Sequence, residues 1–390
     1  MFRIQTMNKI SHLGLELFPR TQYEVASEIP NPDAILVRSA DLNGIEIPSS
    51  VLAIARAGAG YNNIPVSRCS DKGIVVFNTP GGNANAVKEL VLAALLLSSR
   101  DIISGVNWVS SISGRADEVP DLVEKEKSRF EGPELLGKTL GLVGLGAVGA
   151  MVANDAVSLG MKVIGYDPFI SVDHAWGLSR EVHRAETLEG LLAKSDYITI
   201  HTPLSDDTRG LFNAEKFRLM KKGARLINLA RGGLVNESDL IAALASEKIA
   251  VYVTDFPSAE LLSNKKVICI PHLGASTPEA EDNCAIMAVK QLMEYLEFGS
   301  IQNSVNFPRC RLDQRAPYRI VAINRNIPNM VGQITTILAA ANINIMDLIN
   351  HHRDEYAYNI IDTEHRIPDA VLDQIKQVEG IIRVRPIEKV

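Results

Sequence analysis

Short apolar runs recur along most of the chain, separated by longer stretches whose apolar positions fall three and four apart. From about residue 33 onward, Ala34-Ile35-Leu36-Val37, Leu52-Ala53-Ile54-Ala55 and Ile74-Val75-Val76-Phe77 are each bounded by polar or glycine residues, the pattern of buried strands. Ala84 to Ser99 is a longer apolar helix. A second strand series begins at Thr139-Leu140-Gly141-Leu142-Val143. It continues through Lys162–Tyr166, Tyr197–Ile200, Ala224–Leu229, Ile249–Thr254 and Val267–Ile270, with helical stretches between and another helix from Pro278 to Phe298. Alternation of this kind predicts a doubly wound parallel sheet. The polar stretch Asn303 to Pro317, with Pro308, Arg309, Arg311, Arg315 and Pro317, is expected to be a linker. Beyond it the order strand, helix, strand, strand, helix, strand suggests a small ferredoxin-like module.

Composition narrows the classes. A length of 390 residues holds two or three domains. The net charge of −6 is spread without acidic or basic blocks, which argues against a nucleic-acid or membrane-surface partner. The four cysteines (Cys69, Cys269, Cys284, Cys310) have no metal-site spacing and form no disulfide framework, so no metal is expected and a reducing, cytoplasmic setting fits. No apolar run is long enough to span a bilayer, and the N-terminus has no signal-peptide pattern.

The first candidate site is Gly144-Leu-Gly146-Ala147-Val148-Gly149, which follows a predicted strand and opens a helix. Gly144 permits the tight turn, Gly146 lets backbone approach a pyrophosphate, and Gly149 lets helix and strand pack closely. The helix start offers free N–H groups to the diphosphate. Asp167 lies 18 residues past the last glycine, at the end of the next strand. A carboxylate there accepts from both ribose hydroxyls and repels a 2′-phosphate, so NAD is expected rather than NADP.

Three further stretches place polar groups at the C-terminal ends of predicted strands, where open α/β sheets bind ligands. They are Asn228-Leu-Ala230-Arg231-Gly-Gly, Thr254-Asp255 followed by Glu260, and Pro271-His272-Leu-Gly274-Ala-Ser-Thr. Hydride transfer between a nicotinamide and an alcohol carbon needs a group to hold the substrate carboxylate, and the planar fork of Arg231 suits it. It needs a group to exchange the hydroxyl proton, and histidine, here His272, titrates near neutral pH. A carboxylate such as Glu260 can fix the imidazole tautomer and stabilise the imidazolium.

These motifs, with Gly137-Lys-Thr-Leu-Gly-Leu-Val-Gly-Leu-Gly and His201-Thr-Pro-Leu, resemble the D-isomer-specific 2-hydroxyacid dehydrogenase family, in particular members that oxidise 3-phospho-D-glycerate in the first committed step toward serine. The resemblance assigns Arg231 to the substrate carboxylate and His272 with Glu260 to the acid–base pair; the 29-residue spacing from Arg231 to Glu260 agrees. It implies NAD contacts from Thr202, Pro203, Ala230, Asp255 and Gly274. It implies an α/β fold in which a Rossmann-type domain (86–272) is inserted in a discontinuous, flavodoxin-like substrate domain (1–85 and 273–305), with the active site in the cleft. A linker (306–317) and an ACT regulatory domain (318–390) follow. Arg38, Ser39 and Arg56 would clamp the phosphate of 3-phosphoglycerate while backbone N–H groups near Gly58 meet the carboxylate. Lys125, Lys127 and Arg129 stand where relatives carry a basic residue reaching the neighbouring subunit's substrate. Asn326 and Asn344, 18 residues apart, match the pair that binds L-serine in feedback-inhibited relatives. A homo-oligomer, dimer or tetramer, is also implied. The chain departs from the family in Asp255-Phe-Pro-Ser-Ala-Glu260-Leu and in Asn329, where a glycine is usual. Alternatives are another 2-hydroxyacid or 2-oxoacid substrate, such as glyoxylate or 2-oxoglutarate, and a non-catalytic NAD(H)-sensing regulator.

Overall fold

The computed structural model describes residues 1–313 and 316–388, so Arg315 of the expected linker lies outside the described residues. The chain forms two compact units, one of residues 1–83 with 278–390 and the other of residues 84–277.

In the first unit, strands β1 (Phe2–Met7), β2 (Tyr23–Ala26), β3 (Ala34–Val37), β4 (Ala53–Arg56) and β5 (Val75–Phe77) form a parallel sheet of order β2-β1-β3-β4-β5. This is the flavodoxin-like order. Side chains alternate between two cores, as a period of two requires. Leu36, Ala53, Ala55 and Phe77 meet the apolar face of helix Pro278–Phe298, whereas Ile35, Val37, Ile54 and Val76 meet Leu42, Cys69 and Ile74. The apolar-run criterion misses β1 and β2. In β1, Arg3 and Gln5 interleave with apolar residues, and only Ile4 is fully buried.

The second unit holds a seven-stranded parallel sheet made of β6 (Thr139–Val143), β7 (Lys162–Tyr166), β8 (Val182–Arg184), β9 (Tyr197–Ile200), β10 (Ala224–Asn228), β11 (Ile249–Thr254) and β12 (Val267–Cys269). Its order is β12-β11-β10-β9-β6-β7-β8, the doubly wound Rossmann arrangement with one added strand. Leu140, Leu142, Val163, Ile227 and Val253 pack with helices Ala84–Ser99 and Ala147–Ser158; on the other face Ile198, Ile200 and Leu226 meet Leu191, Phe217 and Leu240. Strand order reverses between β6 and β9, so the loops after these two strands, at Gly144 and His201, flank the switch point where such sheets bind ligands. Two strand ends fall short of the expected ones: β10 stops at Asn228 and β12 at Cys269, because Leu229 and Ile270 turn into the loops that carry the polar groups.

The C-terminal part of the first unit is an antiparallel sheet of β13 (Tyr318–Arg325), β14 (Ile345–Arg353), β15 (Tyr356–Thr363) and β16 (Ile381–Glu388), in the order β14-β15-β13-β16. Helices Met330–Ala340 and Asp369–Lys376 cover one face, completing the ferredoxin-like βαββαβ pattern. The other face is not open. Val321, Ile323, Tyr358 and Ile360 share a core with Tyr295, Leu296, Ile301 and Phe307. Polar ties run along the same seam. Arg319 grips Asp362 with two hydrogen bonds (2.6 and 2.9 Å) and donates to the Phe298 and Leu312 carbonyls. Arg325 and the Tyr356 hydroxyl both donate to Asp71, and Arg385 donates to the Tyr295 and Leu296 carbonyls. The polar segment before β13 contributes two fully buried anchors, Phe307 and Cys310. Composition averaged over that segment hides both.

Candidate active site

The glycine turn after β6 has the geometry a diphosphate requires. Gly144 adopts φ +96°, and a Cβ there would stand 2.7 Å from the His201 carbonyl oxygen. A Cβ on Gly149 would fall 2.1 Å from the Gly144 carbonyl oxygen, so helix and turn touch backbone to backbone. At Gly146 a Cβ would meet nothing within 4 Å; here the glycine opens space rather than filling it. Gly146 also caps helix Ala147–Ser158 with no side-chain bond, so the N–H groups of Ala147, Val148 and Gly149 lack a side-chain acceptor. Asp167, at the end of β7, accepts from the Leu145 N–H (2.8 Å) and the Phe169 N–H (2.9 Å). Two backbone bonds hold the carboxylate beside the turn, and each oxygen keeps a lone pair for a ligand hydroxyl.

Next to this turn, after β9, His201 is half-buried and desolvation pushes its pKa down to about 4, so it is neutral; its Nε2 meets the Thr199 hydroxyl at 3.0 Å. The adjacent Thr202 hydroxyl oxygen is buried with no partner among the described residues. Pro203 accepts a hydrogen bond from the Thr208 hydroxyl through its carbonyl (2.7 Å), which closes the loop.

Arg231, Asp255 and His272 follow β10, β11 and β12, three adjacent strands. The Arg231 turn is braced from below by Asn228, which is fully buried. The Asn228 amide donates to the Arg231 carbonyl (2.9 Å) and accepts from the Ala230 N–H (3.2 Å). The Arg231 side chain donates back to the Ala230 carbonyl at 2.7 Å and is otherwise exposed. Phe256 sets its ring edge-to-face against His272, with centroids 5.0 Å apart.

The electrostatic centre of the group is Asp255, which is only 2% exposed, with neither carboxylate oxygen meeting a hydrogen-bond partner among the described residues. Burial pushes its carboxyl above the usual carboxylate range, and the nearby His272 ring and Arg231 guanidinium oppose that rise. A buried, unsatisfied carboxylate is costly and calls for a partner. Glu260 differs. It sits exposed on the short helix Ala259–Leu262, and its carboxylate makes no hydrogen bond or ion pair among the described residues. Gly274 lies in the loop after His272, where a Cβ would press on Val87 at 3.1 Å.

Sequence reasoning assigned no role to Asn228 or Phe256. A polar residue closing an otherwise apolar strand signals the first; nothing in the pattern singles out the second.

In the first unit, Arg38, Arg56 and Gly58 come together at the ends of β3 and β4. The Arg56 guanidinium donates to the Arg38 carbonyl (3.0 Å) and the Gly60 carbonyl (2.7 Å), and lies where a Cβ on Gly58 would be, 2.5 Å away. Arg38 turns its own guanidinium to Glu281. The Ser39 and Ala40 N–H groups both point at the Asn8 side-chain oxygen, and Asn8 has φ +71°. Asn8 is therefore the organiser of the Ser39 loop, and sequence reasoning passed it over.

The remaining candidates are surface groups. Lys127 and Arg129 pair with Glu124 and Glu126 one helical turn back, and Lys125 has no ion-pair partner among the described residues. Asn326 is exposed and donates to the Asp354 carbonyl (3.2 Å), while Asn344 is exposed just before β14. Asn329 adopts the left-handed conformation (φ +66°) ahead of helix Met330–Ala340. Asparagine tolerates that region better than other side-chain-bearing residues, which explains how it stands in for the usual glycine.

An NAD molecule fits these observations: an open glycine turn, an uncapped helix start, a fixed acid at the ribose position, and orphaned polar atoms on Thr202 and Asp255. The family model for the NAD-binding domain of D-isomer-specific 2-hydroxyacid dehydrogenases matches residues 92–274. The chain is similar to the D-3-phosphoglycerate dehydrogenase of Methanocaldococcus jannaschii, 34% identical over 341 residues (84% of this chain and 62% of the relative). It is also similar to that of Bacillus subtilis, 33% identical over 343 residues (83% and 63%). The chain thus spans about three fifths of the length of these curated relatives. Among solved structures, NAD⁺-bound 3-phosphoglycerate dehydrogenase of Entamoeba histolytica superposes with a TM-score of 0.60 at 26% identity, covering 78% of this chain and 98% of that one. With its glycine turn and sheet order, residues 92–274 carry the NAD-binding domain of the D-isomer-specific 2-hydroxyacid dehydrogenases, and the chain around it resembles that family.

Proposed function

We propose that this chain oxidises 3-phospho-D-glycerate to 3-phosphohydroxypyruvate with NAD⁺, the step that opens serine synthesis. The observation that supports the substrate most directly is the pair of arginines at the ends of β3 and β4, in a chain whose curated relatives at 33–34% identity are D-3-phosphoglycerate dehydrogenases. NAD⁺, when bound, supplies the hydride acceptor. Arg231 holds the substrate carboxylate, and neutral His272 takes the C2 hydroxyl proton. The imidazolium so formed is stabilised by a carboxylate. Glu260 is the family's choice, and Asp255 adds a buried carboxyl electrostatically linked to the His272 position. Arg38, Ser39 and Arg56 take the phosphate, with the backbone near Gly58 serving the carboxylate. On this reading 1–85 with 273–305 form the substrate domain, 86–272 the nucleotide domain, 306–317 a connector and 318–390 an ACT domain.

The phosphate assignment has a direct test. Arg38→Ala is expected to lower kcat/KM for 3-phospho-D-glycerate by roughly 10- to 100-fold, the worth of a hydrogen bond to a charged group, and to leave D-glycerate nearly untouched. Equal losses on both substrates would favour a different 2-hydroxyacid or 2-oxoacid. Production of NADH, followed by absorbance, separates either enzyme from a non-catalytic NAD(H) sensor.

The nucleotide assignment has another. Asp167→Ala should weaken NAD⁺ binding by about tenfold or more, since it removes two charge-assisted bonds to ribose, and should narrow the preference over NADP⁺. Fluorescence titration with both nucleotides measures this, and an unchanged preference would remove Asp167 from the ribose site.

The reading extends to regulation. L-serine would bind between ACT modules of neighbouring subunits at Asn326 and Asn344, in a cytoplasmic homo-oligomer, and Asp71, held by Arg325 and Tyr356, links the module to the five-stranded sheet. Millimolar serine that alters neither activity nor thermal melting would refute it. No helix among the described residues is long and apolar enough to cross a membrane.

A further inference from the structure

The backbone of Arg38 is held from several sides. Its carbonyl accepts from Arg56 Nε (3.0 Å) and Asn63 Nδ2 (3.4 Å), and the residues after it are tied to Asn8. Its side chain is held from one. Among the described residues the Arg38 guanidinium makes a single hydrogen bond, from Nη2 to Glu281 Oε1, 2.5 Å long. Both side chains are a little over a third exposed, at 37% and 39%, so neither is locked by packing. An arginine in that setting samples many rotamers unless a partner selects one. Glu281 can act as that partner because it is itself placed by secondary structure. It lies in the first turn of helix Pro278–Phe298, where a carboxylate is favoured by the helix dipole. One residue on, Asp282 is engaged by the Ser11 hydroxyl, and one turn on, Cys284 is buried against Gly82. The helix is pinned directly after the residue that meets Arg38.

We infer that Glu281 is a positioning residue for substrate specificity: it holds Nη2 of Arg38 and so presents Nη1 and Nε of the same fork to the phosphoryl group of the substrate. The inference rests on the phosphate reading given above. It makes Glu281 act only through Arg38, with no contact to substrate and no part in the chemistry. A carboxylate this close to an anion site has an opposite reading, in which it competes with phosphate for the guanidinium. The two readings predict opposite signs for KM.

The test is steady-state kinetics of the full chain with 3-phospho-D-glycerate and D-glycerate, using Glu281→Ala, Glu281→Gln, Arg38→Ala and the double variant Arg38→Ala/Glu281→Ala. The expected result for Glu281→Ala is a KM for 3-phospho-D-glycerate raised about 3- to 5-fold, the scale of a partly exposed ion pair, with kcat and the D-glycerate constants unchanged. Glu281→Gln keeps an acceptor for Nη2 and should stay near the parent. The double variant should match Arg38→Ala alone, because a residue acting through another adds nothing once that one is gone. A lowered KM in Glu281→Ala makes the carboxylate a competitor and overturns the inference. So do an unchanged KM, a fall in kcat, equal effects on both substrates, or additivity in the double variant. If Arg38→Ala itself fails to distinguish the two substrates, the phosphate reading falls; if it distinguishes them and Glu281→Ala does not, only the role of Glu281 falls.

Discussion

The His272→Ala variant is expected to turn over 3-phospho-D-glycerate roughly 10²- to 10⁴-fold more slowly than the parent chain, the usual worth of a positioned general base, while binding NAD⁺ as well as before. On the proposed reading the nucleotide is held on the loops after β6, β7 and β9, while His272 follows β12 at the far edge of the same sheet. Losing the imidazole removes the acceptor for the C2 hydroxyl proton and leaves the glycine turn intact. Single-turnover NADH formation with saturating substrate reads the first effect, and fluorescence titration with NAD⁺ reads the second. Turnover near the parent value would dismiss His272 as the base. Weakened NAD⁺ binding of similar size would make its role structural. Two companion variants assign the carboxylate. Asp255→Asn removes a buried carboxyl linked electrostatically to the His272 position, and Glu260→Gln removes an exposed carboxylate that makes no side-chain bond among the described residues. If Glu260 alone stabilises the imidazolium, only Glu260→Gln should shift the pH dependence of kcat/KM.

The nucleotide half of this chain was easier to read from sequence than the other half, for physical reasons. A parallel sheet covered on both faces writes its strands as continuous apolar runs, so Thr139–Val143, Lys162–Tyr166, Tyr197–Ile200 and Ile249–Thr254 were read with the bounds they have. The glycine turn was legible because three separate constraints fix three residues: a positive φ, an open approach and a backbone contact. In contrast, β1, β2 and β8 mix polar residues into short strands and leave no such run. At the candidate site, residue types that bring charge were legible, and residues that place charge were not. Arg231, Asp255 and His272 follow neighbouring strands as their order in the sheet requires. Asn8 and Glu281 bond to residues 32 and 243 positions away, which no local pattern encodes, whereas Asn228 works locally and its polar end to an apolar strand is the trace it leaves. The same limit applies to the C-terminal module. Its strand and helix order is written in the sequence, whereas the second buried face of its sheet depends on apolar partners in Pro278–Phe307 that a segment-by-segment reading treats separately.

That second face makes Asp362→Ala the substitution with the largest expected effect on stability. Arg319 and Asp362 are paired side by side in β13 and β15, with side chains 0% and 1% exposed. The guanidinium also satisfies the Phe298 carbonyl at the end of helix Pro278–Phe298 and the Leu312 carbonyl in the segment leading to β13. Removing the carboxylate leaves a full positive charge in a dry core with only two neutral acceptors, a loss of roughly 3–5 kcal/mol. Urea unfolding followed by circular dichroism should show a clearly lower midpoint, and a midpoint within about 0.5 kcal/mol of the parent, the range of an ordinary surface substitution, would mean that the pair is hydrated. The companion Arg319→Met/Asp362→Leu separates charge from packing. Replacing both partners with apolar groups of similar volume is often neutral or stabilising, so this variant should recover most of the loss. If it does, the ion pair serves to fix which carbonyls the seam engages, and the stability itself comes from the apolar face built by Val321, Ile323, Tyr358 and Ile360. The helix that carries Glu281 in its first turn and ends at Phe298 would then be anchored at its far end by the C-terminal module, so that Asp362→Ala should also raise KM for 3-phospho-D-glycerate more than for D-glycerate.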